Sequence, residues 1–154
     1  MELTDKTLKT VAKDVTFEKP YDVQNIAIRM MHLMVEENGI GLAATQIGLD
    51  IRLFVTKVGG SFTAFYNPKL LDFSEEMVEY DEGCLSFKGE SHIVSRPGSI
   101  TVEYYDYLGL RSEKKLKGLA ARVWLHEYDH LHGIVFQQRL TNDNIPESLQ
   151  YVKK

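Results

Sequence analysis

The sequence has a single cysteine, Cys84, so no internal disulfide can form. An isolated thiol fits a reducing compartment, where it matters more as a ligand or nucleophile than as a staple. No apolar run approaches the roughly 18 residues of a membrane helix. Residues 1–13 have neither the hydrophobic segment of a signal peptide nor the Arg/Ser richness of a transit peptide, so a cytoplasmic location is expected. A basic excess is also missing: the net charge is −4 and the pI about 5.7, which argues against DNA or other nucleic-acid binding. The one basic cluster, Arg111, Lys114, Lys115 and Lys117 with Arg122 beyond, reads as a solvated face in preference to a ribosome or RNA contact. Repeats, low-complexity stretches and linkers are absent too, so residues 1–154 are expected to form one domain.

What is present is an ordinary globular composition, 44% apolar and 26% charged. A chain of this length can bury roughly 68–70% of its unfolded surface, enough for its own core. After Pro20, with Asp22 as the expected N-cap, Val23, Ile26, Ala27, Met30, Met31, Met34 and Val35 recur at helical spacing until Asn38-Gly39 stops the pattern. The methionines read as core filler and His32 as an ordinary helix histidine. Ile51–Val58 is an apolar, β-branched run, Gly59-Gly60 predicts a hairpin into Phe62–Tyr66, and Asn67-Pro68 is expected to break that strand. Lys69–Phe73, Met77–Tyr80, His92–Ser95 and Ile100–Tyr107 continue the strand pattern, with Leu108-Gly109 as a turn. Helical spacing returns with Leu119, Val123, His126 and His130, and Gly133 stands where a C-cap would be. This order predicts an α+β fold: antiparallel sheets packed around a C-terminal helix, with a second helix near the N-terminus.

The strongest chemical signal is His126-Glu127-Tyr128-Asp129-His130. Histidines at i and i+4 share one helix face, so both imidazoles reach a single metal ion. Glu127, rotated by about 100° from His126, lies close enough to shuttle the proton of a water that such a metal activates. A catalytic site needs a third protein ligand. The metzincin pattern fails because Phe136 stands where its last histidine belongs. A thermolysin-type ligand leaves only Glu147, in a short polar tail, and His132 points away from the His126/His130 face. Cys84 remains, and on spacing alone it reads equally as a ligand thiolate or as a small buried hydrophobe. Gly39, Gly41 and Ala44 spell a dinucleotide-like G-x-G-x-x-A, but they follow a helix where that fingerprint requires a strand. They fit better as backbone that a peptide can approach closely.

Three segments together are more specific. Gly39-Ile40-Gly41-Leu42-Ala43-Ala44-Thr45-Gln46, Glu82-Gly83-Cys84-Leu85-Ser86 and His126-Glu127-Tyr128-Asp129-His130-Leu131-His132-Gly133 resemble, in order and spacing, the signature motifs of the peptide deformylases. The resemblance extends from about Gly39 to Leu140 and implies a hydrolase that removes the formyl group from the N-terminal methionine of nascent polypeptides. It implies one divalent ion, commonly ferrous iron with zinc or nickel as substitutes, held by Cys84, His126 and His130. Glu127 would act as general base and then general acid. The backbone N–H of Leu85 and the side-chain amide of Gln46 would meet the oxyanion. Without the motif, Gln46 would read as an amide satisfying its own loop. The resemblance also implies an extended peptide substrate with its methionine in an apolar pocket, for which Ile40, Gly41, Leu85 and Val123 are the candidates. Fully burying a methionine contributes about 1.5–3 kcal/mol, enough to select long apolar side chains.

The resemblance has departures. Leu125 stands where a Gln usually precedes the His-Glu pair, Lys88 where a Pro often follows the cysteine motif, and Gln138 where an Asp is frequent. The N-terminal strand is expected to be shortened and the tail after Leu140 is short, as in a compact form of bacterial or bacteriophage type. These departures bear on substrate preference, ribosome docking and subtype. None removes a ligand or the base. A zinc peptidase or amidase sharing the helix motif would need neither Cys84 nor Gln46. A silent metal- or peptide-binding module would have no use for Glu127.

Overall fold

Pro20 decides where the first helix begins. Helix α1 runs Pro20–Glu36 in the computed structural model, which describes residues 1–153. Proline suits the first turn because the N–H it lacks would have no partner there. The N-cap is therefore Lys19 and not Asp22, which sits in the first turn near the positive end of the helix. Ala27, Met30, Leu33 and Met34 are buried, so the buried methionines are core filler, while His32 is exposed. Asn38 adopts φ 60 and ends the helix as expected.

Seven strands follow: β1 (Gly41–Ala43), β2 (Leu53–Val58), β3 (Ser61–Phe73), β4 (Met77–Gly83), β5 (Ser91–Pro97), β6 (Ser99–Tyr105) and β7 (Arg111–Lys117). They form a five-stranded sheet in the order β1-β2-β3-β6-β7 and a separate β4-β5 ribbon, with every named pair antiparallel. Gly59 and Gly60, both at positive φ, make the β2–β3 hairpin. Asn67-Pro68 does not break β3. Asn67 takes φ 47, the register shifts between Tyr66 and Lys69, and the strand runs on. A bulge is one of the few places where a sheet tolerates a residue with no N–H to give. The Asn67 side chain pins it by bonding both the N–H and the C=O of Val15.

The basic run Arg111–Lys117 proves to be an edge strand, whose exposed charges discourage pairing with another chain. Arg122 does not belong to that solvated face: it is 7% exposed and fully engaged in the interior.

Strand β2 explains the architecture. Its residues alternate between two covered faces, with Leu53 and Val55 against α1 and Phe54 in the cluster that packs on the last helix. Burial on both sides is why the run is almost continuously apolar. That helix, α2 (Leu119–Leu131), is buried at every residue from Ala121 to Leu131. Trp124 anchors it, edge-on to Phe54 at 5.5 Å and stacked on Tyr128 at 4.5 Å. Gly133, at φ 70, ends it where a Cβ would stand 2.6 Å from the Lys9 carbonyl oxygen. Among the described residues no helix is long and apolar enough to cross a membrane. Trp124→Ala is expected to cost about 3–5 kcal/mol of stability, read as a lower urea midpoint with an unchanged slope.

Candidate metal centre

One turn of α2 separates His126 from His130, and their rings stand 5.1 Å apart. Strand β4 ends at Gly83, and the next residue, Cys84, brings its Sγ to 3.4 Å from His130 Nε2. One donor atom from each of Cys84, His126 and His130 lies within 4.8 Å of the others. A thiol and two imidazoles at this spacing are a donor set for a divalent transition metal. A second observation agrees with that fit. Glu127, buried in the same wall, has an Oε1 with no hydrogen-bond partner among the described residues. A bare carboxylate oxygen is costly to bury unless a proton-bearing group comes to it.

The site is backed by buried ions. His126 Nδ1 bonds Glu82 Oε1 at 2.8 Å, which turns the other ring nitrogen toward Cys84. Arg96, fully buried, donates to both oxygens of Glu82 at 2.6 and 3.1 Å and to Asp129 at 2.9 Å. Arg96 thus pairs with a carboxylate beside each side of the centre, Glu82 before Cys84 and Asp129 before His130. Three partners went unread in the sequence. Arg122 donates to Glu82 at 2.7 Å and to the carbonyls of Val94 and Val78. Arg139 grips Asp129 with two bonds, and the Tyr151 hydroxyl accepts from Arg96 at 2.8 Å. Arg122 stands four residues before His126, on the same helix face, which was a usable signal. Nothing local marks Arg139 or Tyr151.

These surroundings set the charges. Burial alone would raise the Glu82 carboxyl, but Arg96 and His126 outweigh it and hold it well below the usual carboxylate range. Burial would likewise raise Asp129, and Arg96 and Arg139 bring it down. Burial pushes the Glu127 carboxyl up to about 7, against the pull of His126. Burial opposes charge on His126, yet bonds with Cys84 and Glu82 push it up to about 10, while burial and His126 bring His130 down to about 3.

Gln46 lies in the short 3-10 turn Ala44–Ile47 after β1 and is 1% exposed. Its Oε1 accepts from the Ala43 N–H at 2.9 Å, which aims its NH2 at Ser86 Oγ, 3.0 Å away, and at Cys84 Sγ, 3.7 Å away. A cleft of about 640 Å³ opens over these groups, lined by all four pocket candidates, Ile40, Gly41, Leu85 and Val123, together with Cys84, His126 and Glu127. Gly41 cannot be replaced without displacing the centre: a Cβ there would stand 2.5 Å from Glu127 Oε2. Of the departing residues, Leu125 is buried in the Trp124 cluster and Lys88 pairs with Glu37 at the mouth of the cleft. His132, bonded to the Tyr128 carbonyl and facing Arg52, stays outside the group.

Comparison with known proteins gives the same picture. The family model for polypeptide deformylase matches residues 1–145. A peptide deformylase of Treponema pallidum (strain Nichols) is 37% identical over 148 residues, covering 96% of this chain and 91% of that one. The chloroplastic/mitochondrial peptide deformylase 1B of Arabidopsis thaliana is 38% identical over 141 residues, 86% of this chain. The chain spans about half the length of that plant relative, 52%. The crystal structure of the Thermotoga maritima peptide deformylase superposes with a TM-score of 0.84 at 38% identity, covering 88% of this chain and 91% of that one. Arg96→Met would strand two buried carboxylates and is expected to cost about 3–5 kcal/mol, measured by urea unfolding. A loss below about 1 kcal/mol would show that Arg122 and Arg139 suffice for Glu82 and Asp129.

Proposed function

The chain belongs to the polypeptide deformylase family, and we propose that it hydrolyses the formyl amide of N-formylmethionyl peptides and releases formate. The observation that carries this reading is the meeting of Cys84, His126 and His130 where Cys84, His126 and Glu127 line a cleft, with the Gln46 amide 3.7 Å from Cys84 Sγ. Nascent chains are the source of such peptides, which places the activity in a cytoplasm where they are made. Cys84, His126 and His130 would hold the metal. Ferrous iron is the ion the resemblance implies, and zinc or nickel suits the same donors. When bound, the ion supplies Lewis acidity that makes water nucleophilic near neutral pH.

The remaining work falls to the chain's own groups. Glu127 Oε1, unpartnered and buried, takes the proton from water and returns it to the departing amide nitrogen. Its raised pKa suits both directions, because the acid and base forms are both accessible near pH 7. The Gln46 NH2, held by the bond from Ala43 to its own oxygen, donates to the oxygen that becomes negative. The Leu85 N–H is the second donor. Glu82 fixes the orientation of His126, and the missing side chains at Gly39 and Gly41 leave room for those of Leu85 and Glu127.

Formate release from formyl-Met-Ala-Ser, assayed anaerobically with the iron-loaded protein, tests the reading. Cleavage of internal peptide bonds with no formate would overturn it. Glu127→Ala is expected to keep its metal and lose turnover, whereas Cys84→Ala loses metal and activity together. Gln46→Leu should lower kcat by roughly a hundred- to a thousand-fold, about 2.7–4 kcal/mol, with metal content unchanged. A Gln46→Leu protein with normal kcat and only a raised KM would return that residue to a purely structural role.

A further inference from the structure

Tyr80, Leu119 and Arg122 line the active-site cleft on one side and a second, apolar chamber of about 240 Å³ on the other. Val78, Gly98 and Gly118 help to close that chamber. Gly118 faces open space, with nothing within 4 Å of a Cβ built there, and its N–H bonds the Gly98 carbonyl at 3.1 Å. The chamber is open to solvent, since Val78, Tyr80 and Leu119 are all exposed.

The dividing residues are held unequally. Arg122 is fixed by bonds of 2.7, 2.8 and 2.6 Å to Glu82, Val94 and Val78. Those bonds use three of the five N–H groups of the guanidinium. Tyr80 is 53% exposed, sits on β4, which pairs on one edge only, and rests its ring 5.6 Å above the Arg122 guanidinium. Of Tyr80 and Arg122, Tyr80 is the less tightly held.

We propose that Tyr80 is the length gate of the first-residue pocket, and that the chamber behind it accepts the terminal methylenes of side chains longer than methionine. This rests on the deformylase reading of the cleft. The occupant follows from continuity and chemistry. The chamber shares Tyr80, Leu119 and Arg122 with the cleft that the methionine-pocket candidates line, and its mostly apolar lining favours hydrocarbon.

The test compares formyl-Met-Ala-Ser with formyl-(2-aminooctanoyl)-Ala-Ser, whose first side chain is longer by two heavy atoms. Wild type is expected to favour methionine. In Tyr80→Ala, and in Tyr80→Val should the alanine variant fold poorly, kcat/KM for the long side chain relative to methionine should rise by about fourfold per added methylene, about 15-fold in all. Val78→Phe touches only the second chamber and keeps the backbone carbonyl that Arg122 uses. Added to Tyr80→Ala, it should abolish the gain. The Kd values of both peptides on a metal-loaded Glu127→Ala background should move in the same ratio. An unchanged ratio in both Tyr80 variants, a gain that survives Val78→Phe, or a wild type indifferent to length would overturn the gate alone. Wild type that neither binds nor deformylates the methionine peptide would overturn the deformylase reading and the gate with it.

Discussion

Arg96 sits at zero exposure between two carboxylates, and most of the site depends on how that charge is met. It is carried by β5, reaches Glu82 on β4, and crosses to Asp129 on α2 and Tyr151 near the C-terminus. One guanidinium thus ties the ribbon bearing Cys84 to the helix bearing both histidines. The desolvation of such ions is offset only when geometry and hydrogen bonds are complete. Each carboxylate accordingly has a second arginine, Arg122 for Glu82 and Arg139 for Asp129. Any other relative placement of ribbon and helix would leave at least one of these ions unpaired in the interior.

Glu82 and Asp129 carry their charge because arginines surround them; Glu127, two residues from Asp129, has no such partner and is pushed toward neutrality. The same helix turn therefore presents a fixed anion and a titratable one. Of the fixed anions Glu82 orients His126, and the titratable one is the group proposed to move protons. The separation needs no unusual residue, only unequal access to arginine. It also explains why α2 can be buried all round while carrying five polar side chains, Arg122, His126, Glu127, Asp129 and His130.

The sequence made the helix motif legible because its spacing is local: residues at i and i+4 share a face whatever the tertiary structure. The cysteine was ambiguous for the opposite reason. Its approach to His130 is made by the end of β4 meeting α2, and no spacing along the chain encodes that contact. Asn67-Pro68 was read as a break because proline lacks an N–H. The structure absorbs that defect in a bulge held by Val15, a partner distant in sequence. Strand β7 escaped notice because an edge strand needs charge on both faces, which is also what a solvated loop shows. The choice of pocket candidates rests on the family resemblance, since no spacing in the chain marks them.

Arg122 is the instructive error. Counted as charge, it continues the basic run of β7; placed by helix periodicity, it falls under His126, against Glu82. A buried arginine and a surface one are indistinguishable by composition, and only the presence of a facing carboxylate separates them. Its position also links two properties. The guanidinium that helps to orient Glu82, and through it His126, is the same group that walls the cleft from the chamber behind. Substitution there disturbs ligand geometry and pocket shape at once. Tyr80 contributes to shape through an exposed ring and bonds none of the three ligand candidates. Selection for substrate can act on Tyr80 without cost to the metal site, and at Arg122 it cannot.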